Sequence, residues 1–380
     1  MVLFLHNRYR TSGGEERTVE NLLWLVREHL GEPAEVLERD SGALGRARAG
    51  WALARGGRDA REVTAALRLS GARVVHAHNL QPAFGWRALA AARAAGARIV
   101  LHLHQYRLVC AIGVCYARGA ECTRCHGRNT LPGVRLNCRG SLPEALAYGA
   151  SLALWQRRLV EQADAVIVPS RFARERLRAL GAPLRWGRVH VLAPPLRAAE
   201  AAAESAVVHE LPAEPYALLV ARLAPEKGVD VAIDACRMAG MPLVVAGEGP
   251  ERAALAERAA HGAVRFVGHA DDAQLAALRA GAAIALAPSR FAETFALSVA
   301  EAMAVGLPVV ASRVGAHPEL VDEEGLVPAG DARALAGAIS RRAGDRVVGE
   351  RGRERVLAMC APEAVARALA DVYDGRAPSP

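Results

Sequence analysis

Lysine is all but missing from this chain. Of its 48 basic residues one, Lys227, is a lysine, and arginine supplies the rest. A lone ammonium among arginines marks a place where a compact charge with rotatable donors suits better than a planar fork. Aromatic residues are scarce as well, at 4%. Between positions 106 and 140 only Tyr106 and Tyr116 are available to stack on a base, which disfavours a nucleic-acid platform. No uncharged apolar run reaches 18 residues, so no spanning helix is expected. The opening "MVLFLH" meets polar residues at once and reads as a first strand rather than a secretory leader. Without an export signal, the seven cysteines are expected as reduced thiols in the cytoplasm rather than as a disulfide framework.

What is present points to two domains, the ordinary expectation for 380 residues. Short apolar runs alternate with Ala/Arg/Leu helix patterns. In the first half the strands are expected at 2–6, 73–78, 98–104, 164–169 and 188–193, with helices such as 17–30, 82–96 and 170–181 between them. Ser170 caps the last of these and Gly181 stops it. The pattern restarts with "YALLVAR" (216–222), "PLVVAGEG" (242–249), "VRFVGH" (264–269), "AAIALAP" (282–288) and "LPVVASR" (307–313). Continuous apolar strands alternating with helices mean parallel sheets covered on both faces, hence two Rossmann-like, doubly wound α/β domains. We place them at 1–195 and 196–362, with residues 194–215 as a linker. A helix over 363–375 is expected to pack back on the first domain, followed by a disordered "RAPSP" tail. Ligands of such sheets bind beyond the strands' carboxyl ends, so facing domains would form a cleft. Residues 1–195 hold 29 arginines against 15 acids, a charge of +14, whereas the remainder carries −6. The first half is therefore expected to meet an anionic partner: a phosphate-bearing substrate, an anionic membrane or nucleic acid.

Arg222 and Lys227 lie five apart in "RLAPEKG", at a strand end, a proline turn and a helix start. Two cations beside free helix N–H groups suit a diphosphate. Glu293 and Glu301 lie eight apart in "PSRFAETFALSVAEAMAVGLPVVAS", a span of ~12 Å or less on a helix, with backbone donors at Phe295, Ala296 and Leu297 between them. A carboxylate at each end, donors in the middle and two cations nearby fit a sugar joined to a nucleoside through a diphosphate. This run, with "ARLAPEKG" and "VAGEGPE", resembles the signature of the retaining family 4 glycosyltransferases of the GT-B fold. The resemblance implies that Glu293 contacts hydroxyls of the donated sugar, that Glu301 holds the ribose, and that Arg222 and Lys227 bind the diphosphate. It implies transfer of a sugar from a nucleotide-diphosphate donor, with retention, to an acceptor these residues do not name; many relatives use lipid-linked acceptors. Metal-dependent glycosyltransferases hold their cation with an Asp-x-Asp triplet, and the chain has none, so no catalytic metal is expected. Ala296 departs from the family's usual glycine.

Gly13 and Gly14 in "TSGGEERTV" allow backbone to approach a ligand at a helix start, and resemble the family's glycine loop against the donor phosphate. In "LHLHQYRLVC", His102 and His104 share a strand face, as do His76 and His78. The resemblance assigns His104 to the sugar-side active site, although Gln105 stands where the family often has Asp. His78 with Asn79 is placed on the acceptor side, and His76 and His102 read as core. Cys110, Cys122, Cys125 and Cys138, within a Cys-rich loop over 110–138, have the spacing of a structural zinc site, with Cys115 left over. The pattern "EALAYGASLALWQRRLV" (144–160) and the basic half suggest peripheral contact with an anionic membrane at its inner face. Two alternatives stay open: a nucleic-acid binder using a zinc knuckle and the basic half, and a GT-B sugar-nucleotide epimerase.

Overall fold

The computed structural model describes residues 1–8, 13–197, 212–260 and 262–378. Most of the expected linker and the last two residues of the tail lie outside the described residues. In chain order the strands are β1 (Val2–Arg8), β2 (Ala34–Asp40), β3 (Val74–Ala77), β4 (Arg98–His102), β5 (Tyr116–Ala117), β6 (Ala120–Glu121), β7 (Ala165–Val168), β8 (Val189–Val191), β9 (Tyr216–Val220), β10 (Leu243–Ala246), β11 (Val264–Gly268), β12 (Ala282–Ala287), β13 (Val309–Ser312) and β14 (Leu326–Val327). The chain divides into two compact units. One comprises Met1–Ala117, Cys122–Pro195 and Pro362–Pro380, the other Arg118–Glu121 and Leu196–Ala361.

The first unit carries a six-stranded sheet in the order β2-β1-β3-β4-β7-β8, parallel throughout. β1 is buried from Val2 to Asn7, as a central strand between two helical layers must be. Its side chains join Val19, Leu22 and Val26 of the helix Gly14–Glu28 in one core. Val365, Leu369, Val372 and Tyr373 of the helix Pro362–Asp374 belong to that same core. Full burial of each such aliphatic side chain stabilises by about 1.5–3 kcal/mol. Ser170 Oγ accepts from the Ala173 N–H at 2.9 Å and starts the helix Arg171–Ala179.

The second unit carries six parallel strands in the order β11-β10-β9-β12-β13-β14. Its core packs β9, β10 and β12 against the helices Val229–Ala239 and Ala332–Arg342. In chain order this is 3-2-1-4-5-6, so the winding reverses between β9 and β12, and a ligand is expected beyond their carboxyl ends. In the first sheet the reversal falls between β1 and β3.

Four strands escape the sequence pattern, the two-residue β5 and β6 and, in the large sheets, β2 and β14. β2, "AEVLERD", is an edge strand with exposed charged side chains, yet it pairs with β1 in register from Val2↔Ala34 to Arg8↔Asp40. β14 is two residues long, too short to show a period. Among the described residues no helix is long and apolar enough to cross a membrane.

Candidate active site

At the reversal point of the second sheet the loops after β9 and β12 are tied together. Lys227 Nζ donates to Glu293 Oε1 at 2.7 Å. Ser289 Oγ donates to the same oxygen at 2.8 Å. The Arg290 N–H reaches Glu226 O at 2.8 Å, and its guanidinium forks onto Asp230. Gly228 has a left-handed φ of 67°, and a Cβ there would stand 2.1 Å from Pro288 O, so only glycine lets the two loops close. Gly315 repeats this on the other side: an added Cβ would meet the Glu293 N at 2.3 Å. The Glu293 backbone is thus clamped from two directions.

Lys227 and Glu293 are mostly enclosed, with side chains 22% and 12% exposed. Burial pushes the Glu293 carboxyl up, but the charges of Lys227 and His317 and the hydrogen bonds from Lys227 and Ser289 outweigh it, and the group sits below the usual carboxylate range. His317 is wholly buried, with Nδ1 on Ser312 O at 2.7 Å, and burial holds its pKa down against the pull of Glu293. The ammonium also lies 4.8 Å from the centre of the Phe291 ring. Glu293 takes one of its three donors, so the same cation can still serve an anionic ligand.

The other expected donor residues take different partners. Arg222 pairs with Glu226 and stays half exposed. Glu301 pairs with Arg279, whose side chain is buried. Phe295 and Ala296 precede the helix Leu297–Ala304, where the Val299 and Ala300 N–H groups donate to Ala296 O at 3.1 and 3.2 Å and those of Leu297 and Ser298 stand at the open helix start. Ala296 is held left-handed at φ 69° and ψ 68°. Arg279, Ser289 and His317 are site neighbours that sequence reasoning missed. Ser289 stands inside the quoted "PSRF" run, whereas Arg279 and His317 come from segments that carry no signal of their own.

In the first unit, Gly13 is extended and its N–H donates to Glu16 Oε2 at 2.9 Å. Neither Gly13 nor Gly14 is left-handed. The carboxylates of Glu15 and Glu16 occupy that helix start, where a phosphate would otherwise find the favourable end of the dipole; the preceding residues 9–12 lie outside the described residues. The strand-end histidines form a stack. Tyr373 OH meets His76 Nδ1 at 2.8 Å, His76 Nε2 meets His102 Nδ1 at 3.2 Å, and His78 Nδ1 meets His104 Nε2 at 2.8 Å. His102 and His104 lie with ring centres 4.2 Å apart. His76, His78 and His102 bring three ligating nitrogens within 4.8 Å of one another. Both nitrogens of His76 are already engaged, whereas Nε2 of His78 and Nε2 of His102 are buried without a hydrogen-bond partner. Burial holds His76 and His104 down at about 3, with the charges of neighbouring histidines adding to it at His104. Asn79 ties to Asn7 by side chain and backbone, at 2.7 and 2.8 Å.

His78, Asn79, His104, Gln105 and Glu15 border one open cavity. Its far wall is apolar, built from Leu53, Trp86, Leu152, Trp155 and Leu159. The indole N–H of Trp86 is buried there without a partner.

With this geometry in place, comparison with known proteins is informative. Residues 11–195 match the family described as glycosyl transferase 4-like domain, and residues 214–345 match glycosyl transferases group 1. The chain is a glycosyltransferase-family protein. Among curated relatives, this glycosyltransferase-family chain is 36% identical over 134 residues to the MMP alpha-(1->4)-mannosyltransferase of Mycolicibacterium hassiacum, covering 33% of this chain and 32% of that one. It is 37% identical over 168 residues to the GDP-mannose-dependent alpha-(1-6)-phosphatidylinositol dimannoside mannosyltransferase of Mycobacterium tuberculosis, covering 42% and 43%. The alignments thus span less than half the length of these curated relatives. Sucrose-phosphate synthase from Thermosynechococcus elongatus superposes with a TM-score of 0.68 at 21% identity, covering 98% of each chain. Anabaena Alr3699/HepE in complex with UDP and glucose gives 0.63 at 18%, covering 98% of this chain and 99% of that one. At such identities the likeness shows the fold, two Rossmann-like domains of the GT-B kind.

Two measurements test this geometry. Left-handed backbone costs an alanine about 1–2 kcal/mol, partly offset by the greater unfolded freedom of glycine. Ala296→Gly should therefore raise the unfolding free energy, by up to about 1 kcal/mol; a destabilised variant would show that the methyl group packs favourably. Burial holds His76 and His104 down from about 6.5 to about 3 in the folded chain, and pushes His78 and His102 down as well. In that window the unfolded chain binds more protons, so stability rises with pH and is lost on acidification. Urea melts should show unfolding free energy falling from about pH 7 to about pH 4.5. A flat profile would mean that the stack is solvated.

Proposed function

We propose that this chain transfers a hexose from a nucleoside-diphosphate donor to a hydroxyl-bearing acceptor, with retention and without a catalytic metal. The observation that carries the reading is the Lys227–Glu293 contact at the reversal point of the second sheet. It sets a cation for phosphate and a carboxylate for sugar hydroxyls side by side, next to a helix start. Arg222 and Lys227 stabilise the departing diphosphate with the first-turn N–H groups, in the role a divalent cation fills elsewhere. Glu293 orients the sugar and Glu301 the ribose. The bond from the anomeric carbon to the phosphate oxygen breaks, and a bond to the acceptor oxygen forms on the same face. The acceptor proton passes to the departing phosphate oxygen. Names among the relatives, GDP-mannose-dependent enzymes and a neighbour crystallised with UDP and glucose, support a hexose nucleotide.

The acceptor belongs in the cavity of the first unit. His78 and His104 border its polar end, and its tryptophan and leucine wall suits an acceptor with an apolar portion. On the same unit, Leu142, Leu146 and Leu154 stand exposed at helical spacing on Leu142–Glu161, and Trp51 is 65% exposed on the neighbouring helix Arg46–Arg55. Arg46 and Arg157 are exposed on these same two helices, and this face is read as resting on an anionic bilayer.

A thermal-shift panel of UDP, GDP, ADP and dTDP sugars tests the donor site, because a ligand stabilises the fold it binds. At least one donor should raise the midpoint. Lys227→Gln keeps a hydrogen bond to Glu293 but loses the charge, and should lower turnover roughly a hundredfold with the fold intact by circular dichroism. No shift with any donor, or near-normal turnover in the variant, removes the reading. Co-sedimentation with phosphatidylglycerol vesicles at low salt should be strong for the wild type and weakened in Leu142→Ser/Leu146→Ser; no sedimentation of the wild type removes the membrane reading.

A further inference from the structure

The loop that leaves β4 runs from Leu103 to Ser141 before the helix Leu142–Glu161 begins, and it is poor in regular structure. It holds the two-residue strands β5 and β6 and the five-residue helix Leu131–Arg135. A segment of this length inside a compact domain needs something to hold it. Some ties are visible. Thr130 Oγ1 donates to Gly149 O at 2.7 Å, and Arg139 lies 3.6 Å from the centre of the Tyr148 ring. These pin the outside of the loop to the following helix. Its inside is a small cavity walled by Cys110, Cys115, Cys122, Cys125 and Cys138, with apolar neighbours such as Ile112 and Leu136. None of the five cysteines is in a disulfide.

We propose that Cys110, Cys122, Cys125 and Cys138 hold a structural zinc ion that staples this loop and, through it, positions Gln105. Four thiols around one enclosed space are the donor set of a closed tetrahedral zinc site, and the "CTRC" turn supplies two of them at knuckle spacing. The electrostatic neighbours of Cys125 are Cys110, Cys138 and Cys122, the other three members of the set. Cys115 lines the same cavity but differs from the other four. It is the buried one of the five, it hydrogen-bonds Cys110, and its carbonyl accepts the Cys122 N–H at 2.7 Å. It supports two ligands rather than being one. Among the described residues only His76, His78 and His102 already present three ligating atoms within 4.8 Å. The thiols therefore line their cavity at wider spacing and close on the ion as it binds. Each ligand releases its proton to solvent in that step, and nothing is oxidised.

The consequence reaches the acceptor cavity. The turn that carries Cys110 and Cys115 folds over Gln105: Tyr106 N–H donates to Gly113 O at 2.9 Å, and a Cβ on Gly113 would stand 2.4 Å from Gln105 Oε1. Gln105 in turn donates to Glu15 Oε2 at 3.1 Å beside His104. Gln105 is thus a positioning residue whose place depends on the loop being closed.

Elemental analysis of protein purified under reducing conditions without chelator should find about one zinc per chain. Cys122→Ser and Cys125→Ser should each fall below half an equivalent, whereas Cys115→Ser should keep its metal. If the ligand variants fail to fold, the wild type still decides the matter. Cobalt added to metal-free protein should give the intense visible bands of a tetrahedral thiolate site, and stripping the zinc should lower the melting midpoint and expose the loop to protease. Less than half an equivalent of zinc in the wild type, no thiolate bands with cobalt, or an intact mass showing disulfides among these cysteines would each overturn the proposal.

Discussion

The Lys227–Glu293 ion pair is the constraint around which the second domain arranges its site. An uncompensated carboxylate buried at this depth would cost several kcal/mol. The pair therefore cannot be lost from one side alone, and its geometry fixes which loops approach. Gly228 and Gly315 lie where any side chain would push those loops apart. Ser289 supplies the second hydrogen bond that Glu293 needs. The strand order places this assembly where the winding of the sheet reverses, because that is where two adjacent loops diverge and leave room.

The answer to why one lysine persists among arginines follows from that geometry. Lys227 meets the Glu293 oxygen end-on at 2.7 Å while its ammonium faces the Phe291 ring. A guanidinium is larger and planar and prefers to fork across both carboxylate oxygens. Where forking is wanted, the chain uses arginine, as Arg290 does on Asp230 a short distance along the same loops. The two cations do different work within one clamp, and only one of them keeps donors that can turn toward a ligand.

Much of the fold was legible because central parallel strands must be apolar on both faces. β1, β9 and β12 announce themselves as unbroken runs, and the restart at Tyr216 reveals a second domain. β2 and β14 were not legible for the complementary reason: an edge strand can remain charged, and a strand of two residues has no period. At the candidate site, Glu293, Glu301, Arg222 and Lys227 were readable from their spacing and from a resemblance. Their partners were not. Arg279 lies 22 positions from Glu301 on another helix, and His317 reaches Glu293 only because Gly315 turns the chain back. Such neighbours are products of tertiary closure. The histidines of the first unit were readable as two strand-face pairs, but the hydrogen bond between Tyr373 and His76 was not, because the tyrosine arrives from the far end of the chain.

Ala296 shows what the fold gives up to keep this arrangement. The residue before the helix Leu297–Ala304 is held left-handed, at φ 69° and ψ 68°. Glycine would adopt that backbone without steric penalty. Alanine adopts it only because neighbours on both sides are already fixed: the clamped Glu293 before it, and after it a helix whose Val299, Ala300 and Met303 are buried. The strain is small beside the burial of those side chains, about 1–2 kcal/mol against several times that for the apolar contacts. The methyl group therefore survives.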